Sequence, residues 1–228
     1  MKLRCEWAFA LSVLAAACGG DDTVDANARP GAPGVGACGK GELKVTKGEI
    51  AFCGSDFDES CPSTKELAGY TSVSGDISIY PDISPDLSDA SCLQSVATTL
   101  SISGGTEITS LAGLENLKFA RALEVLGLDK LRTLSGIDQL THLNSLTVNG
   151  NLLLTDLQGL PAGFTVGSLY VAGNSELNSL DGLAHITVTE VVAIENNSKL
   201  SSCKVAEFAK KFSGVELSNF GNLPTVCN

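Results

Sequence analysis

The sequence predicts a mainly β protein built as a right-handed, single-strand solenoid. Short strands stack coil on coil into one parallel sheet, and a short helix closes the C-terminal end. Three observations carry this expectation. Apolar residues recur in columns 23 residues apart, as in Leu111, Leu134, Leu157 and Leu180. Alternating β-like triplets keep the same step: Leu100-Ser101-Ile102, Leu123-Glu124-Val125, Leu146-Thr147-Val148, Leu169-Tyr170-Val171, Val192-Ala193-Ile194 and Val215-Glu216-Leu217. Finally, the 24 glycines against only 5% aromatic residues suit many tight turns around an aliphatic interior.

The first 17 residues read as a secretory signal. Lys2 and Arg4 make a basic start, Trp7 to Leu14 an apolar core too short to span a bilayer, and Ala15-Ala16-Ala17 a small-residue cleavage zone. Cleavage after Ala17 leaves Cys18 as a free thiol, or Cys18 becomes the lipidated first residue. The run VLAAAC resembles the lipobox of bacterial lipoproteins. Cysteine parity favours the second course. Of eight cysteines, Cys5 leaves with the signal and Cys18 takes the lipid; Cys38, Cys53, Cys61, Cys92, Cys203 and Cys227 remain and can all pair in an oxidising compartment. Residues 18–40 are Gly/Pro-rich and polar, without periodicity, and read as a flexible tether. Within them, Gly34 to Lys40 matches GxxxxGK, but Gly41 stands where a P-loop needs Ser or Thr, and no apolar strand precedes it. No nucleotide site is expected.

Residues 41–76 are expected to cap the N-terminal end of the solenoid, and residues 77–228 to form about seven coils. The series begins at Ile77-Ser78-Ile79 and continues without insertion to the C-terminus. A further column runs through Ile108, Leu131, Leu154, Leu177, Leu200 and Leu223, and glycines recur in Leu-x-Gly-Leu/Ile at Gly113, Gly136, Gly159 and Gly182. No single unit of this length can bury its own apolar face, so neighbours must stack. A parallel crossover of this kind turns right-handed. Asn151, Asn174 and Asn197 form another column just past the strands, where a buried amide can bond turn backbone of its own coil and the next. Gly150 and Gly173 precede two of them, and Asn196, tolerant of a left-handed backbone, precedes the third. Gly105, Leu128 and Phe220 occupy the column elsewhere. Asparagines so placed could instead contact a ligand; the structural role is the one expected.

The unit L-x-[IV]-x-[GN]-N-x-x-L-x-x-L-x-G-L resembles the leucine-rich-repeat superfamily, and within it the receptor L domain. Asn174-Ser175-Glu176-Leu177 has the longer spacing after the asparagine, and the run from Tyr70 to Ile79 is similar to the L-domain entry. The likeness covers about residues 61 to 228. It implies a β-helical ligand-binding fold and leaves the ligand unnamed.

At the C-terminal end, Val205, Ala206, Phe208, Ala209 and Phe212 have helical spacing, with Ser201 or Ser202 as N-cap and Gly214 as the stop. Cys203 falls in the Leu180 column and Cys227 one coil plus one residue later, within reach of a disulfide. Cys38, Cys53, Cys61 and Cys92 allow three connectivities. Cys53–Cys61 with Cys38–Cys92 is the preferred one, and the other two stay open.

Little in the chain points to catalysis. His142 and His185 are placed in inter-strand segments with no third ligand at a metal-site spacing, and no GxSxG, HExxH or CxxC occurs. Asp56-Phe57-Asp58-Glu59 resembles only the start of a calcium loop. No cofactor or metal is expected. A formal net charge of −11 repels phosphate backbones, which excludes nucleic-acid binding.

The outward face of the sheet remains as a candidate site. Ser78, Ser101, Glu124, Thr147, Tyr170, Ala193 and Glu216 form one outward row; Tyr80, Ser103, Leu126, Asn149, Ala172, Glu195 and Ser218 form the next. From these rows Tyr80, Glu124, Leu126, Tyr170 and Glu195 are the expected binding residues, for a protein or glycan partner. The expected protein is a bacterial outer-membrane lipoprotein, periplasmic or surface-facing, anchored through Cys18 and non-catalytic. The alternatives are a structural or adhesive spacer without a specific ligand and, more remotely, a glycan-processing enzyme on a β-helix.

Overall fold

The computed structural model describes residues 38–44, 49–54, 61–81 and 84–227. The signal, Cys18, most of the tether and the Asp56–Glu59 segment lie outside the described residues. The chain is mainly β, with ten strands in one all-parallel sheet and two helices among the described residues. In order they are β1 (Gly41–Leu43), β2 (Glu49–Cys53), α1 (Thr64–Leu67), β3 (Tyr70–Val73), β4 (Asp76–Tyr80), β5 (Ser95–Ser103), β6 (Phe119–Leu126), β7 (His142–Asn149), β8 (Thr165–Ala172), β9 (Thr187–Glu195), α2 (Ser202–Ala209) and β10 (Glu216–Ser218). No helix among the described residues is long and apolar enough to cross a membrane.

From β5 to β10 the strands pair in sequence order. Below β5 each rung is split: β3 and β4 both pair with β5, while β1 joins β3 and β2 joins β4. The segment expected as a cap therefore contributes strands of its own to the sheet. Its short helix α1 opens on a capping box, in which Ser63 and Glu66 satisfy each other's backbone amides.

The columns read from the sequence become stacked rows. Leu100, Leu123, Leu146, Leu169 and Val192 are successive strand partners, as are Ile102, Val125, Val148, Val171 and Ile194, and all are buried. The turn columns Ile108, Leu131, Leu154, Leu177, Leu200 and Leu111, Leu134, Leu157, Leu180 complete the core opposite the sheet. The strands also extend further back than the triplets indicate. Val96, Ala120, Leu143, Val166 and Val188 form an additional buried row across their first halves. This extension makes His142 the first residue of β7 and not part of a connecting segment; its side chain is exposed, as is that of His185.

Stacking at strand spacing, about 4.8 Å, brings the backbones of successive turns into contact, and the Leu-x-Gly-Leu glycines make this possible. A Cβ on Gly136 would stand 2.2 Å from Leu111 O, and one on Gly159 2.2 Å from Ser135 N. Both glycines also have positive φ, 117° and 115°.

Asn151, Asn174 and Asn197 are fully buried and linked in a ladder. The Oδ1 of Asn174 accepts the Asn151 amide at 2.9 Å, and its Nδ2 donates to Val148 O and Ala172 O, both at 3.0 Å. Asn151 does the same for Leu128 N and Val125 O, and Asn197 for Asn174 N and Val171 O. The backbone groups each amide holds thus belong to its own turn and the preceding coil, while its Nδ2 also donates to the asparagine Oδ1 of the following coil. In the slot before these asparagines, Gly150, Gly173 and Asn196 all have positive φ.

The last coil corrects the sequence count. Ser218 pairs with Ala193 and Leu217 with Val192, so the register advances by 25 residues where 23 is expected. The ladder accordingly ends on Asn222, whose Oδ1 accepts the Asn197 amide at 2.9 Å, while Phe220 lies exposed. Helix α2, capped by Ser201 and followed by a turn to Gly214, takes up the two extra residues. Leu217 and Leu223 keep their apolar identity but are exposed, uncovered by any coil among the described residues.

Three disulfides tie the ends: Cys203–Cys227, Cys53–Cys61 and Cys38–Cys92, with Cα–Cα distances of 5.4, 5.9 and 5.2 Å. All are the expected pairings.

Asn174→Ala leaves one buried amide and two buried carbonyls without this partner. Urea unfolding is expected to show a loss of about 2–4 kcal/mol. Among glycines, Gly163→Ala meets nothing within 4 Å and carries only the strain of φ +78°, a cost of about 1–2 kcal/mol. Gly159→Ala adds a backbone collision and is expected to cost at least about twice as much in the same assay.

Candidate functional site

Alternation along each strand sends Leu100 and Ile102 inward and Ser101 outward, and the parallel register lines up the outward residues of every rung. The central outward row is Ala51, Ser78, Ser101, Glu124, Thr147, Tyr170, Ala193 and Ser218. Glu216, expected to end this row, is displaced by the register change in the last coil. A flanking row carries Ser103, Leu126, Asn149, Ala172 and Glu195. On the other flank stand Thr99, Ala122, Ser145, Ser168 and Val191.

Over the first rungs this face forms a groove of about 360 Å³. Its floor and walls include Tyr80, Glu124 and Leu126, so three of the five expected binding residues meet there. Ser78, Ser101, Ser103 and Thr99 add hydroxyls, and Glu49 and Asp76 add two carboxylates that the sequence reading did not select. Tyr170 and Glu195 lie on β8 and β9, outside the groove. Tyr170 is 40% exposed, an aromatic ring open to solvent. Glu195 accepts a hydrogen bond from Ser218 Oγ on the last rung.

The three carboxylates have different surroundings. Glu49 stands directly opposite Asp76 on adjacent strands and accepts a hydrogen bond from Ser78 Oγ. Asp76 has its pKa lowered from the usual 3.8, by the Thr98 hydroxyl beside it and by the Thr99 amide. The amide contact, at 3.0 Å, has full hydrogen-bond geometry, whereas Thr98 Oγ1 is buried without a partner at bonding distance. The Thr99 amide is the firmer hold on the carboxylate. Asp76 also ties β4 to β5 at the point where the sheet register is irregular. Glu124 is the cross-strand partner of Ser101. Ser101 is only 8% exposed although it faces outward, because its larger neighbours enclose it.

Among the described residues no group of three His, Cys, Asp or Glu side chains is placed to hold a metal ion. Two surface ion pairs among the described residues, Lys130–Glu107 and Lys199–Glu176, join neighbouring coils on well-exposed side chains. Pairs of this kind contribute at most about 1 kcal/mol each.

No protein-family model matches the sequence, and neither a curated protein nor a solved structure matches the chain.

Composition pointed to an acidic surface, but the gathering of Glu49, Asp76 and Glu124 needed the register of β2 and β4. The sequence signal that could have found Glu49 is the short alternation Glu49-Ile50-Ala51-Phe52, a strand pattern within the presumed cap.

Because Asp76 is more acidic in the folded chain, its stabilising effect is present above its ordinary pKa of 3.8 and disappears as pH falls through the lower folded value. Asp76→Asn is expected to lower the thermal midpoint at pH 7, with the deficit closing as pH falls to about 2. Thermal unfolding of both proteins across this range is the check; a deficit unchanged in acid would remove the ionic role.

Proposed function

We propose that this chain is a lipid-anchored module of a bacterial outer envelope, periplasmic or surface-facing, that binds a protein or glycan partner through the outward face of its parallel sheet without catalysing a reaction. In this reading the body is a right-handed solenoid similar to the receptor L domain. The 23-residue step between strand partners such as Leu123, Leu146 and Leu169 supports it. The lipid is carried by Cys18 after removal of residues 1–17, and the tether sets the folded body off the membrane.

One observation carries the binding function. Tyr80 and Leu126 offer apolar contact in the same groove as Glu124 and a set of hydroxyls. Such a mixture of apolar surface and convergent polar groups is what a recognition site requires. A featureless spacer would need no enclosed hydroxyl such as Ser101 on its outer face.

The glycan-processing alternative is favoured by the presence of Glu49, Asp76 and Glu124 in one groove. Glycoside hydrolysis requires one carboxylic acid whose pKa is raised and a second, ionised carboxylate; Asp76, shifted down, suits only the second role.

In crosslinking from native envelopes, the double variant Tyr170→Ala/Glu124→Ala is expected to lose partner capture by about tenfold or more. An unchanged partner set would exclude the sheet face. Mass spectrometry of the mature protein should find lipid on Cys18, and an unmodified Cys18 would exclude the anchor.

A further inference from the structure

We infer that the turn ridge carrying Leu152 and Leu153 is a contact between two copies of this chain, related by a two-fold axis through Leu153. None of the ridge residues lines the groove around Tyr80 and Glu124, so the contact stands independently of the sheet-face reading.

The 23-residue step places Glu107, Lys130, Leu153, Glu176 and Lys199 on successive coils, a few residues past the strand ends. The asparagine ladder holds these turns in register. Neighbouring charges pair along the ridge: Lys130 Nζ lies 2.7 Å from the Glu107 carboxylate, and Lys199 pairs with Glu176. Leu153 falls between the two pairs. Either charge at that position would be attracted by one neighbour and repelled by the other, which accounts for a neutral residue but not for leucine. A serine, as at Ser175 and Ser198 in the adjoining column, would suit water better. Instead Leu152 and Leu153 stand 48% and 36% exposed, side by side at the centre of the ridge. Single exposed leucines are common, whereas an adjacent pair framed by charge on both sides marks a contact surface.

The order of charges names the occupant. Along the ridge it runs negative, positive, neutral, negative, positive, so reversing the order inverts every sign. A two-fold axis through Leu153 therefore sets Glu107 against the partner's Lys199 and Lys130 against the partner's Glu176, while Leu153 meets the partner's Leu153. Each charge contact occurs twice, and all four are between opposite signs. An isologous interface requires this self-complementarity. The neighbouring registers are rejected by the same residues. Moving the axis midway toward Lys130 sets Glu107 against the partner's Glu176, and moving it midway toward Glu176 sets Lys130 against the partner's Lys199. Like charges so placed disfavour both alternatives. Four coil spacings make the ridge about 19 Å long. It is also narrow, so the contact belongs to the small, transient class.

A bilayer fits the same leucines less well, because Glu107 and Glu176 beside them are repelled by anionic headgroups.

The test is cysteine crosslinking of the full chain in native envelopes with copper phenanthroline, read by non-reducing electrophoresis and mass spectrometry of the joined peptide. Leu153→Cys places a thiol on the axis, and Asp138→Cys places one at an exposed site elsewhere; the wild type controls for the native cysteines. Lys130→Glu and the double exchange Lys130→Glu/Glu176→Lys are then added to Leu153→Cys. The exchange breaks both ion pairs within a chain yet keeps opposite charges across the axis, so a merely structural role for these residues would not rescue crosslinking. Thermal midpoints establish that each variant is folded. The expected result is a disulfide joining position 153 of two copies, absent with Asp138→Cys, reduced about tenfold by Lys130→Glu and restored by the exchange. A yield with Leu153→Cys no greater than with Asp138→Cys would overturn the inference. So would equal loss in the single and exchanged variants, or an adduct joining position 153 to a different protein instead of a second copy.

Discussion

The structure depends on satisfying backbone groups that the stacking of coils removes from water. A chain that returns to the same edge of a parallel sheet after each strand must turn inside protein, and buried peptide groups there need partners. The amides of Asn151, Asn174, Asn197 and Asn222 provide them, each one bridging to the coil before it. Because every rung of the ladder uses both ends of its amide, a coil can be satisfied only when its neighbour is in register. That requirement aligns the leucine columns, which then exclude water from the ladder. Where the asparagines stop, at Leu128, an apolar side chain fills the slot and its amide is held by Asn151 from the following coil.

The same constraint shapes the ends. The last coil holds a helix and two additional residues, yet the ladder is kept by moving from the Phe220 position to Asn222. Satisfying the Asn197 amide outweighed keeping strict periodicity, at the expense of exposing Phe220 and Leu217. The Cys203–Cys227 disulfide closes this coil. At the other end, Cys38–Cys92 fastens the chain just before β1 to the approach to β5.

With inward positions committed to the core and turn positions to the ladder, chemical variety is confined to the outward rows. There the chain departs most from its own repeat: Ser78, Ser101, Glu124, Thr147 and Tyr170 share one row and no common property. The groove lies where these departures bring charge, hydroxyl and aromatic groups together, on the rungs nearest the N-terminal end.

The amino-acid sequence by itself determined the parallel columns, the buried asparagines, the helix after Ser201 and the pairing of Cys203 with Cys227. Each of these is a local pattern repeated at one spacing, and repetition is legible without knowing the fold. Only the tertiary structure decided that Glu49 belongs to the sheet, that it faces Asp76, and that Tyr80, Leu126 and Glu124 share a groove from which Tyr170 is excluded. It also decided the two-residue shift that puts Asn222 where Phe220 was expected. The physical reason is that these outcomes come from register between strands of unlike sequence. Register is settled by which buried donors and acceptors find partners, and an irregular segment carries no period from which to read it.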